Sequence, residues 1–389
     1  MSIILNDGQK NGIMQAVKWY FDVDKKPLFF LAGSAGTGKS TCASTAVEMM
    51  GLTKYQVIYV TPTGKAATVL RQKGCIANTI HSTFYHVMSD TLTGKIRFAR
   101  KKKIANGVIK LIIIDEFSMV NGKMVEDIVS FGVPILALGD PGQLPPMYSK
   151  NPYLDNPDVF LTEVMRQKGE SGILHLATLA RNNVPIDQGN YIESKVCYLG
   201  DIHNIEEYDI VLCATNKARE DINRIIRRKL GIESRYPVAG EKLVCLKNDY
   251  ENQIIYQGDM IINPVNGMMM ENLVDAKDID ECVDYLDMVY TPDFLKNEGD
   301  FKYFSTRVSK LPFDICAQGG VIDSEDSMNT PADEIVLDFG YAVTVHKSQG
   351  SEWPNVLVID DYRGAKDLYK KWLYTAITRA SKSVTIARE

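Results

Sequence analysis

The chain has 389 residues, 45 % of them apolar and 24 % charged, which is close to the water-soluble globular average and excludes an intrinsically disordered chain. At roughly 150 residues per domain there is room for about two or three domains with cores of their own. The net charge of −5 argues at first against a polyanionic partner, but ten acidic and two basic residues lie between Glu271 and Asp300, and the rest of the chain carries +3.

No apolar run approaches the ~18 residues of a membrane helix. The N-terminal MSIILNDGQKNG has neither the basic region nor the apolar stretch of a signal peptide. Seven cysteines, at 42, 75, 197, 213, 245, 282 and 316, are odd in number and show no CxxC spacing. That pattern argues against a disulfide framework and a zinc site, so the expected compartment is the reducing cytoplasm.

Along the first half, short β-rich runs at 28–32 (LFFLA), 56–60 (QVIYV), 108–114 (VIKLIII) and 134–138 (PILAL) alternate with helical stretches such as 40–50 and 65–73. Continuous apolar strands between helices predict an α/β fold with a parallel sheet covered on both faces. Ligands on such sheets lie at the carboxyl ends of the strands. The segment 83–106 interrupts this rhythm, and its SDTLTGKIRF places turn residues between β-formers, which predicts a hairpin. A second strand set appears at 209–213 (DIVLC), 341–345 (YAVTV), 356–359 (VLVI) and 383–387 (SVTIA). Between them, 240–331 has turn residues, short β-like pieces and the acidic run, and reads as a β-rich insertion. There are no internal repeats or low-complexity tracts.

Gly33-Ser-Ala-Gly36-Thr37-Gly38-Lys39-Ser40 matches GxxxxGK[ST], between a predicted strand and a predicted helix. Glycines let backbone amides wrap phosphates, and the helix N-terminus favours the anion. Lys39 is predicted to contact the β- and γ-phosphates of ATP, and the Ser40 hydroxyl to ligate Mg²⁺. Asp115 and Glu116 follow the 108–114 strand. A carboxylate at Asp115 can hold the metal opposite Ser40, and Glu116 can polarise the attacking water. The loop 139–146 (GDPGQLPP) follows the 134–138 strand and places Gln143 as a candidate γ-phosphate sensor; the plain alternative is a structural turn.

In this order LNDGQ, GSAGTGKS, TPTGKAA (61–67), TIHSTF (79–84), IIIDEFSM and GDPGQLPP resemble the motifs of superfamily 1 helicases. LTEVMRQ (161–167), ATNKAREDIN (214–223), YAVTVHKSQGSEW (341–353) and LYTAITRAS (373–381) continue the series. The resemblance is to the RecD-like, phage Dda-like branch. It spans most of the chain and is thin only in 83–106 and 240–331.

The resemblance implies two RecA-like parallel-sheet motor domains: 1–82 with 107–165, and 166–239 with 332–389. It makes 83–106 a hairpin or pin and 240–331 an SH3-like β-rich insertion. It implies that Gln9 reads the adenine edge, that Gly350 joins Gly36, Thr37 and Gly38 around the nucleotide, and that Arg166 and Arg379 are arginine fingers. Thr61, Pro62, Thr63, Lys65, Thr79 and His81 in the first domain, and Thr215, Asn216, Thr344, His346, Lys347 and Gln349 in the second, would line a track for single-stranded DNA. Small hydroxyls and amides suit phosphate contact without base reading. The alternative for the two histidines is a capping or packing role.

Lys95, Arg97, Phe98 and 100–103 (RKKK) put cations beside an aromatic, as a strand-splitting pin would. A solvated charge run with Phe98 packed under its hairpin is the alternative.

The implied activity is an ATP-dependent DNA helicase moving on single strands. Its 5′→3′ polarity is by resemblance alone, and its coupling is ATP-driven closure of two motor domains. Single-stranded DNA and single-/double-strand junctions are the implied partners, without a membrane. A monomer, a single-strand-binding or replication protein as accessory, and a phage or other mobile genome in a host cytoplasm complete the expectation. Three readings compete. A P-loop kinase leaves HKSQG and TAITRAS without purpose, an ATP-gated DNA-binding, protein-displacing remodeller would unwind poorly, and an RNA track would need 2′-OH readers. The pathway (replication, recombination or repair) stays open.

Overall fold

The computed structural model describes residues 5–89, 96–104, 108–146, 150–164, 171–246, 254–256, 260–262, 269–272, 283–292, 303–322 and 334–389. The chain divides into two compact units. The first comprises Met1–Met88, Arg97–Val184 and Lys370–Thr378, and the second Ser89–Ile96, Pro185–Tyr369 and Arg379–Glu389.

The first unit runs α1 (Asp7–Phe21), β1 (Leu28–Gly33), α2 (Lys39–Met49), β2 (Val57–Thr61), α3 (Gly64–Gln72), β3 (Ala77–Thr79) and α4 (Ile80–Phe84). It continues with β4 (Tyr85–Ser89), β5 (Ile96–Arg100), β6 (Leu111–Ile114), α5 (Gly122–Val129), β7 (Ile135–Gly139), β8 (Val159–Leu161) and α6 (Gly172–Arg181). The main sheet has the order β3-β2-β6-β7-β1-β8, and all its pairings are parallel.

Apolar residues of one strand alternate between two cores, as a sheet buried on both faces requires. Leu111 and Ile113 pack with Ile13, Ala16 and Trp19 of α1 and with Cys42, Ala43 and Ala46 of α2. Ile112 and Ile114 pack on the other face with Phe84, Phe117, Val125 and Ile128. Helices on both faces leave the carboxyl edge of the sheet as the place where polar loops gather. β4 and β5 pair as a separate two-stranded sheet, and the predicted tip, 90–95, lies outside the described residues.

The second unit holds β9 (Gly189–Tyr191), β10 (Ser194–Tyr198), β11 (Ile210–Cys213), α7 (Asn216–Lys229) and β12 (Lys242–Cys245). Then come β13 (Ile254–Tyr256), β14 (Met260–Ile262), β15 (Met269–Asn272), β16 (Tyr285–Pro292), β17 (Phe304–Ser309), α8 (Leu311–Ala317), β18 (Leu337–Phe339), β19 (Ala342–Thr344) and β20 (Trp353–Ile359). α9 (Lys366–Ile377) and β21 (Ala380–Arg388) end the chain.

One sheet, β19-β11-β20-β21-β10-β9, is parallel except for β9. A second, β17-β16-β15-β12-β18, contains antiparallel pairings throughout and packs Leu243, Met270, Met288 and Leu337 against Phe313 of α8. Parallel sheets in both units establish the α/β class expected from the strand pattern. Most of the acidic run 271–300 lies outside the described residues. Among the described residues no helix is long and apolar enough to cross a membrane.

Candidate nucleotide site and nucleic-acid interface

The loop after β1 is built on two left-handed glycines, Gly36 at φ 78° and Gly38 at φ 79°. A Cβ at Gly38 would also lie 2.6 Å from Gln9 Nε2, so this position needs glycine for its backbone angle and for close approach. Gln9 is buried. It closes a capping box with Asn6 at the start of α1, accepting from the Asn6 N–H at 3.0 Å, and its Nε2 donates to Thr37 O at 3.0 Å. The residue expected at the adenine edge thus also supports the phosphate loop from beneath. Lys39 and Ser40 open α2, and Lys39 Nζ donates to the carbonyls of Gly33 at 2.9 Å and Ser34 at 3.0 Å.

The other expected catalytic residues sit on neighbouring strand ends. Asp115 follows β6 and accepts from the Glu116 N–H at 2.9 Å. Burial, reinforced by the adjacent Glu116 charge, pushes its carboxyl up to about 6. Glu116 has φ 54°, a left-handed angle uncommon for a residue with a Cβ and typical of functional turns. After β7, Asp140 accepts from the Gly142 N–H at 2.9 Å, and the Gln143 N–H donates to Asp140 O at 3.0 Å. Gln143 is 5 % exposed, and its Oε1 has no hydrogen-bond partner among the described residues.

A glycine cradle, a lysine, the Ser40 hydroxyl, a carboxylate and an orphaned amide oxygen fit a nucleoside triphosphate with Mg²⁺. Ser40 and Asp115 are the residues that could hold the metal.

Residues 4–195 match the family model of an AAA domain, and residues 339–387 that of a UvrD-like helicase C-terminal domain. The chain is 25 % identical to the ATP-dependent RecD2 DNA helicase of Deinococcus radiodurans, over 91 % of this chain and 46 % of that one. It is 24 % identical to the ATP-dependent DNA helicase dda of Enterobacteria phage T4, over 80 % and 78 % respectively. By these matches the chain is similar to superfamily 1 helicases of the RecD and Dda kind.

The chain spans less than half the length of the first curated relatives it matches. Its fold resembles Bacteroides Pif1 bound to ssDNA, with a TM-score of 0.57 and 18 % identity over 99 % of this chain and 92 % of that one.

The expected DNA-facing residues cluster at helix starts. Thr63, Thr79 and Thr215 are the N-caps of α3, α4 and α7, and each hydroxyl accepts from a first-turn N–H. Pro62 and Lys65 flank the first cap, and Asn216 is the first residue of α7. Thr61 is different. It is 0 % exposed, and its hydroxyl donates to Thr63 O at 2.8 Å, so it shapes the turn that presents Thr63.

His81 stacks 4.7 Å from Phe98 and 5.6 Å from Tyr85, and burial lowers its pKa. Phe98 lies on β5, 40 % exposed and packed on His81, not at the 90–95 tip.

In the second unit Thr344 ends β19, and its hydroxyl accepts from the Lys347 N–H at 3.4 Å. His346 is half-buried with a lowered pKa, Lys347 is exposed and Gln349 is buried. Gly350 has φ 75°. Arg379 is buried and donates to Ser351 O at 3.1 Å. Arg166 lies outside the described residues.

The sequence reading missed Arg181 and Tyr374. Tyr374 Oη donates to Asp140 Oδ2 at 2.5 Å and accepts from the Ala35 N–H at 3.3 Å. Arg181 donates to Ser34 Oγ. Tyr374 lay inside a quoted motif; nothing in RNN around Arg181 signalled it.

Proposed function

We propose that the chain is an ATP-dependent DNA helicase that translocates 5′→3′ along single-stranded DNA and unwinds the duplex ahead. The observation that carries this reading is the set of loops at one carboxyl sheet edge. Lys39 and Ser40 after β1, Asp115 and Glu116 after β6, and Gln143 after β7 stand on adjoining strands of the order β2-β6-β7-β1. Thr63 and Thr79 follow β2 and β3 on the same edge. Nucleotide chemistry and a phosphate-gripping surface therefore share one rigid sheet.

Amides of the Gly36–Lys39 loop bind the phosphates, and Lys39 Nζ leaves its carbonyl partners to neutralise them. Mg²⁺, held by Ser40 and Asp115, supplies further charge neutralisation when bound. Glu116 takes the proton of the attacking water, and Gln143 orients that water through Oε1 or senses the γ-phosphate through Nε2. Arg379 and Arg166 are the candidate fingers for the transferring phosphoryl group. Thr63, Thr79 and Thr215 stand at helix starts and Thr344 at a strand end, where backbone N–H groups can contact phosphate without reading bases. The antiparallel sheet over 242–339 is the candidate SH3-like accessory module, and Phe98 with His81 the candidate base-stacking platform.

The test is steady-state ATP hydrolysis with and without short single-stranded DNA, with Lys39→Ala as the blank, followed by unwinding of 5′- and 3′-tailed duplexes. Stimulation of about tenfold or more with unwinding of the 5′-tailed duplex supports the reading. DNA-stimulated hydrolysis without unwinding favours a remodeller, and stimulation by RNA alone favours an RNA track.

A further inference from the structure

We infer that Arg181 is a positioning residue for nucleotide hydrolysis, tying the phosphate loop to the Asp140–Gln143 loop so that both act as one rigid frame. The inference rests on the nucleotide-driven reading above and adds a residue that it does not use.

Arg181 is the last residue of α6, and its guanidinium reaches back over the carboxyl sheet edge of its own unit. Its Nη1 donates to Ser34 Oγ and lies 3.8 Å from Asp140 Oδ1. Two rings hold its position, Phe160 at 4.8 Å and Tyr374 at 5.5 Å. An exposed arginine in a surface ion pair has no such packing; this side chain is 25 % exposed.

Asp140 is buried, and its carboxylate gathers the Tyr374 hydroxyl, the Gly142 N–H and the Arg181 charge. Tyr374 in turn accepts from the Ala35 N–H. Ser34 and Ala35 of the phosphate loop are thus joined to Asp140 by two routes. Asp140 O accepts from Gln143 N–H, so the same frame sets where the unpartnered Gln143 Oε1 stands. The fit is close: a Cβ on Gly142 would lie 3.3 Å from the Tyr374 ring and 3.4 Å from the guanidinium carbon.

Lysine cannot replace this group. It is a point charge without a planar fork, so it cannot bond Ser34, face Asp140 and stack on two rings together. Arg181 is also distinct from an arginine finger, because its donor is committed to the protein and it need not touch the nucleotide.

The experiment compares full-length wild type with Arg181→Ala, Arg181→Lys, Ser34→Ala and the Arg181→Ala/Ser34→Ala double variant. The readouts are ATPase kcat and KM at saturating single-stranded DNA, affinity for a fluorescent ATP analogue, and the thermal midpoint. Expected are a kcat loss of about tenfold or more in both Arg181 variants, KM within about threefold, and a thermal midpoint close to wild type. Ser34→Ala should lower kcat, and the double variant should fall less than the product of the single losses. If Arg181→Ala does not fold, Ser34→Ala carries the test through the same bond.

Wild-type kcat in folded Arg181→Ala, full recovery by lysine, or wild-type kcat in Ser34→Ala overturns the inference. A wild-type chain that hydrolyses no ATP with any nucleic acid overturns the underlying reading instead, and is recognised before any variant is compared.

Discussion

Replacing Gly38 by alanine should destabilise the first unit by about 2–3 kcal/mol, and half of that cost should disappear when Gln9 is truncated. Gly38 stands at φ 79°, ψ 26°, a left-handed conformation that costs an alanine about 1–2 kcal/mol. Its new Cβ would lie 2.6 Å from Gln9 Nε2. That amide must move, and it gives up a buried hydrogen bond to Thr37 O with a net contribution of about 0.5–1.5 kcal/mol. Gln9→Ala alone loses the same bond and should cost about 1 kcal/mol. In the double variant the bond is lost once and the clash is gone, so the two effects should fall short of their sum by about 1 kcal/mol. Urea unfolding followed by tryptophan fluorescence reads this through the first transition midpoint; Trp19 and Trp372 lie in this unit. Additivity within about 0.5 kcal/mol would refute the reasoning, because it would mean that Gln9 and the loop do not share this contact.

Lys39→Ala should abolish ATP hydrolysis at every DNA concentration, and sustained DNA-dependent turnover would contradict the phosphate-loop assignment. Arg379→Ala should bind a nucleotide analogue normally while hydrolysis falls by about 10³-fold, whereas loss of analogue binding would mark a structural arginine. Arg219 pairs with Glu220 and, at 3.0 Å, with Asp338, all three buried. Arg219→Ala should therefore cost the second unit about 3–5 kcal/mol in a urea titration, and a near-neutral result would mean the carboxylates simply take up protons. Burial lowers the pKa of His81 below its usual 6.5, so the folded state favours the neutral ring. The stability this supports is fully present above pH 6.5 and is lost as pH falls from there through the lower folded-state value. Unfolding midpoints measured from pH 7.5 to 5 should show that limb, and His81→Gln should flatten it.

The candidate nucleotide site is legible in the sequence because each of its parts is local. A glycine-rich turn between a strand and a helix carries its geometry in eight consecutive residues, and IIIDE and LALGD announce strand ends by themselves. The alternation of Leu111 and Ile113 against Ile112 and Ile114 followed from the same runs, since an apolar stretch without polar alternation must be covered on both sides. Arg181 and Tyr374 were not legible for the opposite reason. Their partners Ser34 and Asp140 are 147 and 234 residues away, and no short pattern encodes a contact of that span. Phe98 shows an intermediate case. Its neighbourhood of cations was visible, but its stacking on His81 depends on how β5 returns past α4.

The threonines carry a further consequence. Thr63, Thr79 and Thr215 are candidates for phosphate contact, yet each already uses its hydroxyl as a helix cap. A cap bonds one first-turn N–H and leaves others of that turn unmatched, so the threonine fixes a donor cluster without being its strongest donor. Each of these helices also follows a strand end, so the donors are held by the sheet and not by a mobile loop. On this argument, removing a hydroxyl weakens DNA binding by loosening the helix start. Thr79→Ser, which keeps the cap, should preserve single-stranded DNA affinity, whereas Thr79→Val, close in shape but without the cap, should lower it. Equal affinity for both variants would mean that these helix starts do not meet the phosphate chain.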